Sequence, residues 1–130
     1  MALLDAVRTM AMAGATGRSP AIRVAHGSRV SVLGGELELR QALFNLLRNA
    51  LAASPDGIPV ELDWRVNGDF VDIRVVNSVD GRRLTKPGLG VGLVITNTLA
   101  AAYGGSLTSG LDEDGRFRSV LRLRLAQVSA

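Results

Sequence analysis

Cysteine is absent from this sequence, and histidine and lysine occur once each, as His26 and Lys86. Without thiols there is no disulfide, no thiolate nucleophile and no thiolate zinc site, and the lack fits a reducing compartment. A single histidine cannot build a multi-histidine metal site. No uncharged apolar run approaches the ~18 residues that would suggest a bilayer-spanning helix. The opening Met1-Ala-Leu-Leu-Asp5 lacks the basic leader, apolar stretch and small-residue cleavage site of an export signal. The expectation is a cytoplasmic domain that makes no membrane contact of its own.

What is present is the composition of one globular domain: 130 residues, 47% hydrophobic and 21% charged. A chain of this size buries roughly two thirds of the surface that its unfolded form exposes, enough to fold without disulfides or metal. The net charge of +3 comes from 15 basic and 12 acidic residues. All the basic residues but Lys86 are arginines, and they are scattered along the chain rather than clustered as a nucleic-acid binder would have them. No nucleic acid is expected as a partner.

Leu3, Val7, Met10 and Ala11 are spaced as on a short helix over residues 3–12. The period then changes to two: Ile22 and Val24, then Val30 and Val32, read as two strands around a His-Gly-Ser turn. A strong helix is expected from about residue 36 to residue 54, stopped by Pro55-Asp56-Gly57. Val60, Leu62, Trp64 and Val66, then Val71, Ile73 and Val75, alternate with polar residues as two half-buried strands. Asn67-Gly68 supplies the positive backbone angles of a hairpin between them. After a polar, Gly-containing segment, Val91, Val94, Ile95, Leu99 and Ala102 mark a third helix, closed by Gly104-Gly105. Phe117, Leu121, Leu123 and Leu125 alternate with arginines in a final strand pair. Paired strands between helices indicate an α+β fold, a mostly antiparallel sheet with helices on one face, in a single domain over residues 1–130.

On the second helix, Leu39, Leu43, Leu46, Leu47 and Ala50 form the core stripe, while Gln41, Asn45, Arg48, Asn49 and Ala52 fall opposite. A solvated face is the ordinary reading of such a polar stripe. Asn, however, is a poor helix former that prefers caps and turns, and two of them sit one turn apart in mid-helix. A carboxamide oxygen is a neutral hard ligand suited to Mg²⁺, which takes few protein ligands and completes its octahedron with phosphates and water. Arg48 beside them could meet a phosphate. Further on, Lys86-Pro-Gly-Leu-Gly-Val-Gly-Leu-Val-Ile-Thr places Gly88, Gly90 and Gly92 at alternate positions and runs directly into a helix. Successive glycines allow close backbone approach, and the first amides of a helix offer a place for an anion. The segment is neither a Walker loop nor of Rossmann spacing, and alone it serves equally as structural punctuation.

Together the two motifs are more specific. Leu43-Phe-Asn-Leu-Leu-Arg-Asn-Ala50 resembles the N box of the ATP-binding catalytic domain of bacterial sensor histidine kinases, the GHKL family shared with gyrase, heat-shock ATPases and mismatch-repair ATPases. Gly88-Leu-Gly-Val-Gly-Leu93 and Ala102-Tyr-Gly-Gly105 are similar to its second glycine box and the following Gly-Gly turn. The resemblance implies a Bergerat fold, a two-layer α/β sandwich with three helices on one face of a mixed, mostly antiparallel sheet. It also implies ATP or ADP with Mg²⁺ as cofactors. Asn49 matches the magnesium-holding Asn, with Asn45 its partner one turn earlier. Hydrolytic relatives carry a Glu general base at the latter position; Asn takes no proton near neutral pH, which favours phosphoryl transfer. Arg48, Lys86, Gly88, Leu89, Gly90, Val91, Gly92 and Leu93 complete the implied nucleotide contacts.

The sequence departs from that family between the motifs. The first glycine box ordinarily reads Asp-x-Gly-x-Gly after a strand. Here Asn77 takes the place of the Asp that accepts the adenine amino group, Val79 that of the first Gly and Gly81 that of the second. An alternative register uses Asp80-Gly81. On the Asn77 register, restoring Asp at 77 is expected to tighten nucleotide binding. Only Arg82-Arg-Leu-Thr-Lys-Pro87 remains where such kinases carry a long lid over the nucleotide. His26 lacks the context of a phosphoacceptor histidine. The implied partners are therefore a separate dimerisation and phosphoacceptor domain and a response regulator, and the implied setting is a free cytoplasmic domain or the cytoplasmic part of a membrane-anchored sensor. Two other functions fit the same residues: a nucleotide-free docking module for a regulator or phosphotransfer partner, and an anti-sigma-factor-like serine kinase.

Overall fold

The computed structural model describes residues 2, 5–7, 22–24, 29–54, 58–78 and 89–126, with side chains from 93 onward in the last stretch. Its elements run β1 (Ile22–Val24), α1 (Glu36–Ala53), β2 (Val60–Asn67), β3 (Phe70–Asn77), α2 (Leu89–Ala101), β4 (Ser106–Leu111) and β5 (Phe117–Arg124). The strands form one sheet in the order β1-β2-β3-β5-β4. β1 pairs parallel with β2, the α1 crossover lying between them, and every other pairing is antiparallel. The expected α+β architecture is therefore present. Of the first expected helix, Asp5, Ala6 and Val7 are helical, with Ala6 and Val7 fully buried, and the rest lies outside the described residues.

Period two sorts the strands cleanly. Val60, Leu62 and Trp64 of β2, Val71, Ile73 and Val75 of β3, and Leu121 and Leu123 of β5 are buried beneath the helices. On the other side of the sheet lie Glu61 and Asp63, Asp72 and Arg74, and Arg122 and Arg124. Opposite charges meet there: Arg74 of β3 binds Asp63 of β2 through two nitrogens, Arg122 of β5 binds Asp72 of β3 at 2.7 and 3.0 Å, and Arg116, just before β5, reaches Glu61 of β2 at 3.0 Å. The hydrogen bonds from Arg122 hold the Asp72 carboxyl below the usual carboxylate range, against the opposing effect of its partial burial.

α1 seats the expected stripe on this sheet. Leu39, Leu43, Leu46, Leu47 and Ala50 are all at most 6% exposed, and Ala42 and Ala53 join them. Each large side chain so buried contributes about 1.5–3 kcal/mol relative to exposure. Glu36 and Glu38 sit in the first turn, where carboxylates favour the helix dipole. The helix stops at Ser54, whose hydroxyl donates to the Ile58 carbonyl at 2.9 Å.

Two expectations need correction. Val30 and Val32 do not form a strand with Ile22 and Val24. Residues 31 and 32 instead make isolated bridges to Ala2 and Leu125, because Gly34, at φ 138°, turns the chain away almost at once. The hairpin turn is Gly68-Asp69, with Asn67 still paired to Phe70, and Gly68 alone takes a positive φ, +61°. The third expected helix is present as α2, and part of its exposed side is apolar. Val94 and Ile95 are exposed, Leu99 is half-buried, and Thr96 and Ala100 are fully buried. A continuous apolar helix sequence does not reveal which side will find a partner.

The Gly-Gly turn closes α2 by a Schellman motif: Gly105 N–H donates to Ala100 O at 2.9 Å and Gly104 N–H to Ala101 O at 3.1 Å, with Gly104 at φ +79°. A Cβ on Gly105 would lie 2.1 Å from the Arg122 carbonyl oxygen, so the chain enters β4 through a gap only glycine fits. Gly105→Ala is expected to lower stability by about 1–3 kcal/mol in urea unfolding. Gly110→Ala, with nothing within 4 Å of its new Cβ, should leave stability equal or slightly raised; equal losses in the two variants would contradict the packing account.

Candidate functional site

The relative placement of α1 and α2 follows from two contacts. The buried Thr96 hydroxyl of α2 donates to the Ala42 carbonyl of α1 at 3.4 Å. Tyr103, just past the end of α2, packs where α1 begins: a Cβ on Gly34 would lie 2.9 Å from the ring, and one on Gly35 would lie 2.6 Å from the phenol oxygen. The start of α1 thus meets the end of α2, and the two helices run antiparallel. With equal rise per residue, stepping from Thr96 back toward the start of α2 leads along α1 from Ala42 toward its C-terminal half. The first turn of α2, residues 89–92, therefore lies alongside the stretch of α1 that carries Asn45 and Asn49.

Helical geometry also says which flank of α1 faces this seam. Asn49 is two turns beyond Ala42 on nearly the same line, and Asn45 is one position round from it. Both asparagines are half-buried, unlike Gln41, Arg48 and Ala52, which are exposed. The polar face expected as one unit is thus divided: the asparagines line the inter-helix seam, and Arg48 stands beside it in solvent. Among the described residues the Nδ2 of Asn49 is buried without a hydrogen-bond partner. An unmade bond of that kind costs about 1–3 kcal/mol.

Asn77 ends β3 on the helix-facing side of the sheet, in phase with Ile73 and Val75, and is 1% exposed. Its Nδ2 donates to the Ser78 carbonyl at 3.0 Å. That bond fixes which way the carboxamide points and leaves Oδ1 as its acceptor. Gly81, Lys86 and Gly88, together with Asp80 of the alternative register and His26, lie outside the described residues. Leu89, Gly90, Val91 and Gly92 are helical and form the first turn of α2; Leu93 is half-buried against the core.

α1 and α2 accordingly carry Asn45, Asn49 and the helical half of the glycine box in the helix layer, and Asn77 ends β3 on the side of the sheet that faces that layer. Cavities elsewhere do not involve them: one of about 620 Å³ runs along the β4–β5 hairpin, and one of about 380 Å³ lies between Asp5, Arg29 and Leu125. No group of three or more His, Asp or Glu that could hold a metal occurs among the described residues. Among those residues, too, no helix is long and apolar enough to cross a membrane. Sequence reasoning missed Thr96 and Tyr103, which set the seam. A Thr within the apolar run of α2 and a glycine pair just before α1 were the available signals.

Comparison with known proteins places this arrangement. Among curated proteins the chain is similar to the probable sensor protein PcoS of Escherichia coli, 29% identical over 113 residues, which are 72% of this chain and 24% of that protein. The chain thus spans about a quarter of the length of the curated relative it matches. Among solved structures, the mycobacterial sensor histidine kinase MprB superposes with a TM-score of 0.79 at 18% identity, covering 98% of this chain and 97% of that one. The Acinetobacter baumannii histidine kinase AdeS gives 0.77 at 15% identity, over 98% and 66% of the two chains. Full-length ShkA in complex with AMPPNP gives 0.75 at 22%, over 100% and 31%. At these identities the solved structures bear on the fold, which is that of histidine kinase catalytic domains. Residues 34–127 match the model of the histidine kinase-, DNA gyrase B- and HSP90-like ATPases, a span that takes in the asparagine helix, the sheet and the glycine turn, and the chain belongs to that family.

Proposed function

We propose that residues 1–130 form the ATP-binding catalytic domain of a two-component sensor histidine kinase, holding Mg-ATP for phosphoryl transfer to a histidine on a separate dimerisation and phosphoacceptor domain, which in turn serves a response regulator. The observation that carries this reading is the seam: antiparallel α1 and α2 set two mid-helix asparagines, one with a buried unpartnered amide, beside the first turn of the glycine helix. Similarity to sensor histidine kinases supports it over the nucleotide-free docking module and the anti-sigma-factor-like serine kinase.

The residues suit the ligand. Asn49, with Asn45 beside it, would hold Mg²⁺ through carboxamide oxygen, the remaining positions falling to phosphates and water; the ion would neutralise charge on the transferring group. The N–H groups of the first turn of α2 face outward from the helix end and suit phosphate oxygens, and Arg48, Lys86, Gly88 and Leu93 complete the phosphate side. Asn77 Oδ1 would accept from the adenine amino group, and the resemblance assigns Gly81 to the same glycine box. In the transfer itself an imidazole nitrogen of the partner's histidine attacks the γ-phosphorus, the bond to the β–γ bridging oxygen breaks, and ADP leaves with that electron pair. Asn45 takes no proton from water, so transfer is favoured over hydrolysis. By this reading the domain belongs to the cytoplasmic part of its protein.

Isothermal titration should show weak binding of ADP and of a non-hydrolysable ATP analogue, strengthened by Mg²⁺. Asn49→Ala should abolish the Mg²⁺ enhancement while raising stability by about 1 kcal/mol, since it removes a poor helix former and an unpaired donor. Absence of heat and of chemical-shift change at millimolar nucleotide would overturn the proposal.

With γ-labelled ATP the chain alone should acquire no acid-labile phosphate, because His26 is its sole histidine and stands outside the acceptor pattern. Label lost in His26→Ala would reverse that assignment.

The Ser78 contact changes the expectation for Asn77→Asp. The variant sets an acceptor against the Ser78 carbonyl in a buried position, so the unliganded domain should lose about 1–3 kcal/mol of stability. Its carboxylate would still accept more strongly from adenine, so ADP should raise the Tm of the variant by more than that of the parent. A variant as stable as the parent without nucleotide would show that the Ser78 bond does not hold the amide.

A further inference from the structure

The sheet has two ends, and they differ. β1, at one end, is three residues long, whereas β4, at the other, runs six residues and among the described residues pairs as a strand only with β5, its Leu107 N–H donating on the other side to Asn97 Oδ1 at 3.1 Å. Natural edges are usually guarded by shortness, proline or charge. β4 reads Ser-Leu-Thr-Ser-Gly-Leu, with neither a charged residue nor proline, and five of its six residues are exposed. The cavity of about 620 Å³ runs along this strand and its turn, floored by Thr108, Gly110, Arg118 and Val120. Gly110 keeps it open, since no atom lies within 4 Å of where a Cβ would stand.

The turn that closes the cavity is Asp112-Glu113-Asp114. Asp112 is engaged: its Oδ1 accepts the N–H groups of Asp114 and Arg116 at 3.0 and 2.9 Å, and Arg118 approaches its other oxygen at 3.9 Å. Arg116 is committed to Glu61. Glu113 and Asp114 are exposed and make no ion pair among the described residues, so the end of the open edge carries two uncompensated negative charges. Leu111, 59% exposed, adds an apolar contact next to them.

From this we infer that β4 is a docking edge for an extended, basic segment of a partner protein, which adds a strand to the sheet beside β4 and sets Lys or Arg against Glu113 and Asp114. Main-chain bonds to β4 beyond Leu107, whose N–H is already taken by Asn97, supply the attachment, and the acidic turn selects the partner's charge. A second copy is the weaker occupant. Paired antiparallel about the middle of β4, each acidic turn would lie beside the partner copy's uncharged Ser106 and gain no counter-charge.

The inference is independent of the nucleotide site and is tested on the whole chain by amide NMR. The probe is a capped peptide of alternating valine and lysine, with its valine–glutamate counterpart as control. At millimolar lysine peptide and low salt, shifts should concentrate on Thr108–Leu111, Glu113 and Asp114, with slower exchange of the amides of Thr108–Leu111, and the glutamate peptide should produce none. Gly110→Lys, which has ordinary backbone angles and open space, should fold and abolish the shifts. Combined Glu113→Lys and Asp114→Lys should weaken binding at least tenfold. No shifts, shifts elsewhere, or equal binding of both peptides would overturn the inference. So would concentration-dependent dimerisation in the ultracentrifuge with β4 amides already protected, which would assign the edge to a second copy.

Discussion

The position of everything functional in this domain depends on one seam, the antiparallel contact of α1 with α2. α1 is driven onto the sheet by Leu39, Leu43, Leu46 and Leu47, but apolar burial is non-directional and leaves the second helix free to slide. Specific contacts remove that freedom. The Thr96 hydroxyl bonds the Ala42 carbonyl, and Tyr103, together with Leu39 and Glu38 of α1, occupies the space that side chains at Gly34 and Gly35 would fill. A one-turn slip of α2, about 5.4 Å, would carry the glycine turn past Asn45 and Asn49. Gly34 and Gly35 therefore act at a distance from the site they position.

Much of the fold was legible because local pattern and tertiary demand agree. The bounds of α1, its leucine stripe, the β2–β3 hairpin and the alternation of β5 all follow from spacing within a single element. What was not legible depended on partners far along the chain. The pairing of residues 31 and 32 with Ala2 and Leu125 is non-local, and so is the parallel pairing of β1 with β2. Which face of α2 is buried was hidden for the same reason: Val94 and Ile95 are as apolar as any core residue, and only the arrival of α1 at Thr96 and Ala100 makes that face the interior.

Legibility of the site divides in the same way. Asn45 and Asn49 stood out because asparagine in mid-helix contradicts local propensity, and the structure gives that contradiction a second form in the buried, unpartnered amide of Asn49. Asn77 stood out only through family resemblance. Its surroundings could not be read from sequence: the side chain points into the helix layer, and its amide hydrogen goes to the next residue's carbonyl, a bond set by local geometry at the end of β3. The substitution of Asn for the family's Asp is thereby accommodated in the unliganded domain, where a carboxylate would face that carbonyl as acceptor against acceptor.

The distribution of charge separates the surfaces that can take part in recognition from those that are occupied. On the outer face of the sheet, Asp63 with Arg74, Asp72 with Arg122 and Glu61 with Arg116 satisfy one another across strands, and Arg122 and Arg124 also lie 5.5 and 5.7 Å from the Phe70 ring centroid. Exposed pairs of this kind contribute at most about 1 kcal/mol each, so stability is not their main consequence. Their consequence is that three arginines and three carboxylates of this face are already engaged with one another. Two other places carry polar groups without partners among the described residues, the helix seam with the Asn49 amide nitrogen and the β4 turn with Glu113 and Asp114. A ligand that brings a phosphate or a metal suits the first, and one that brings a cation suits the second.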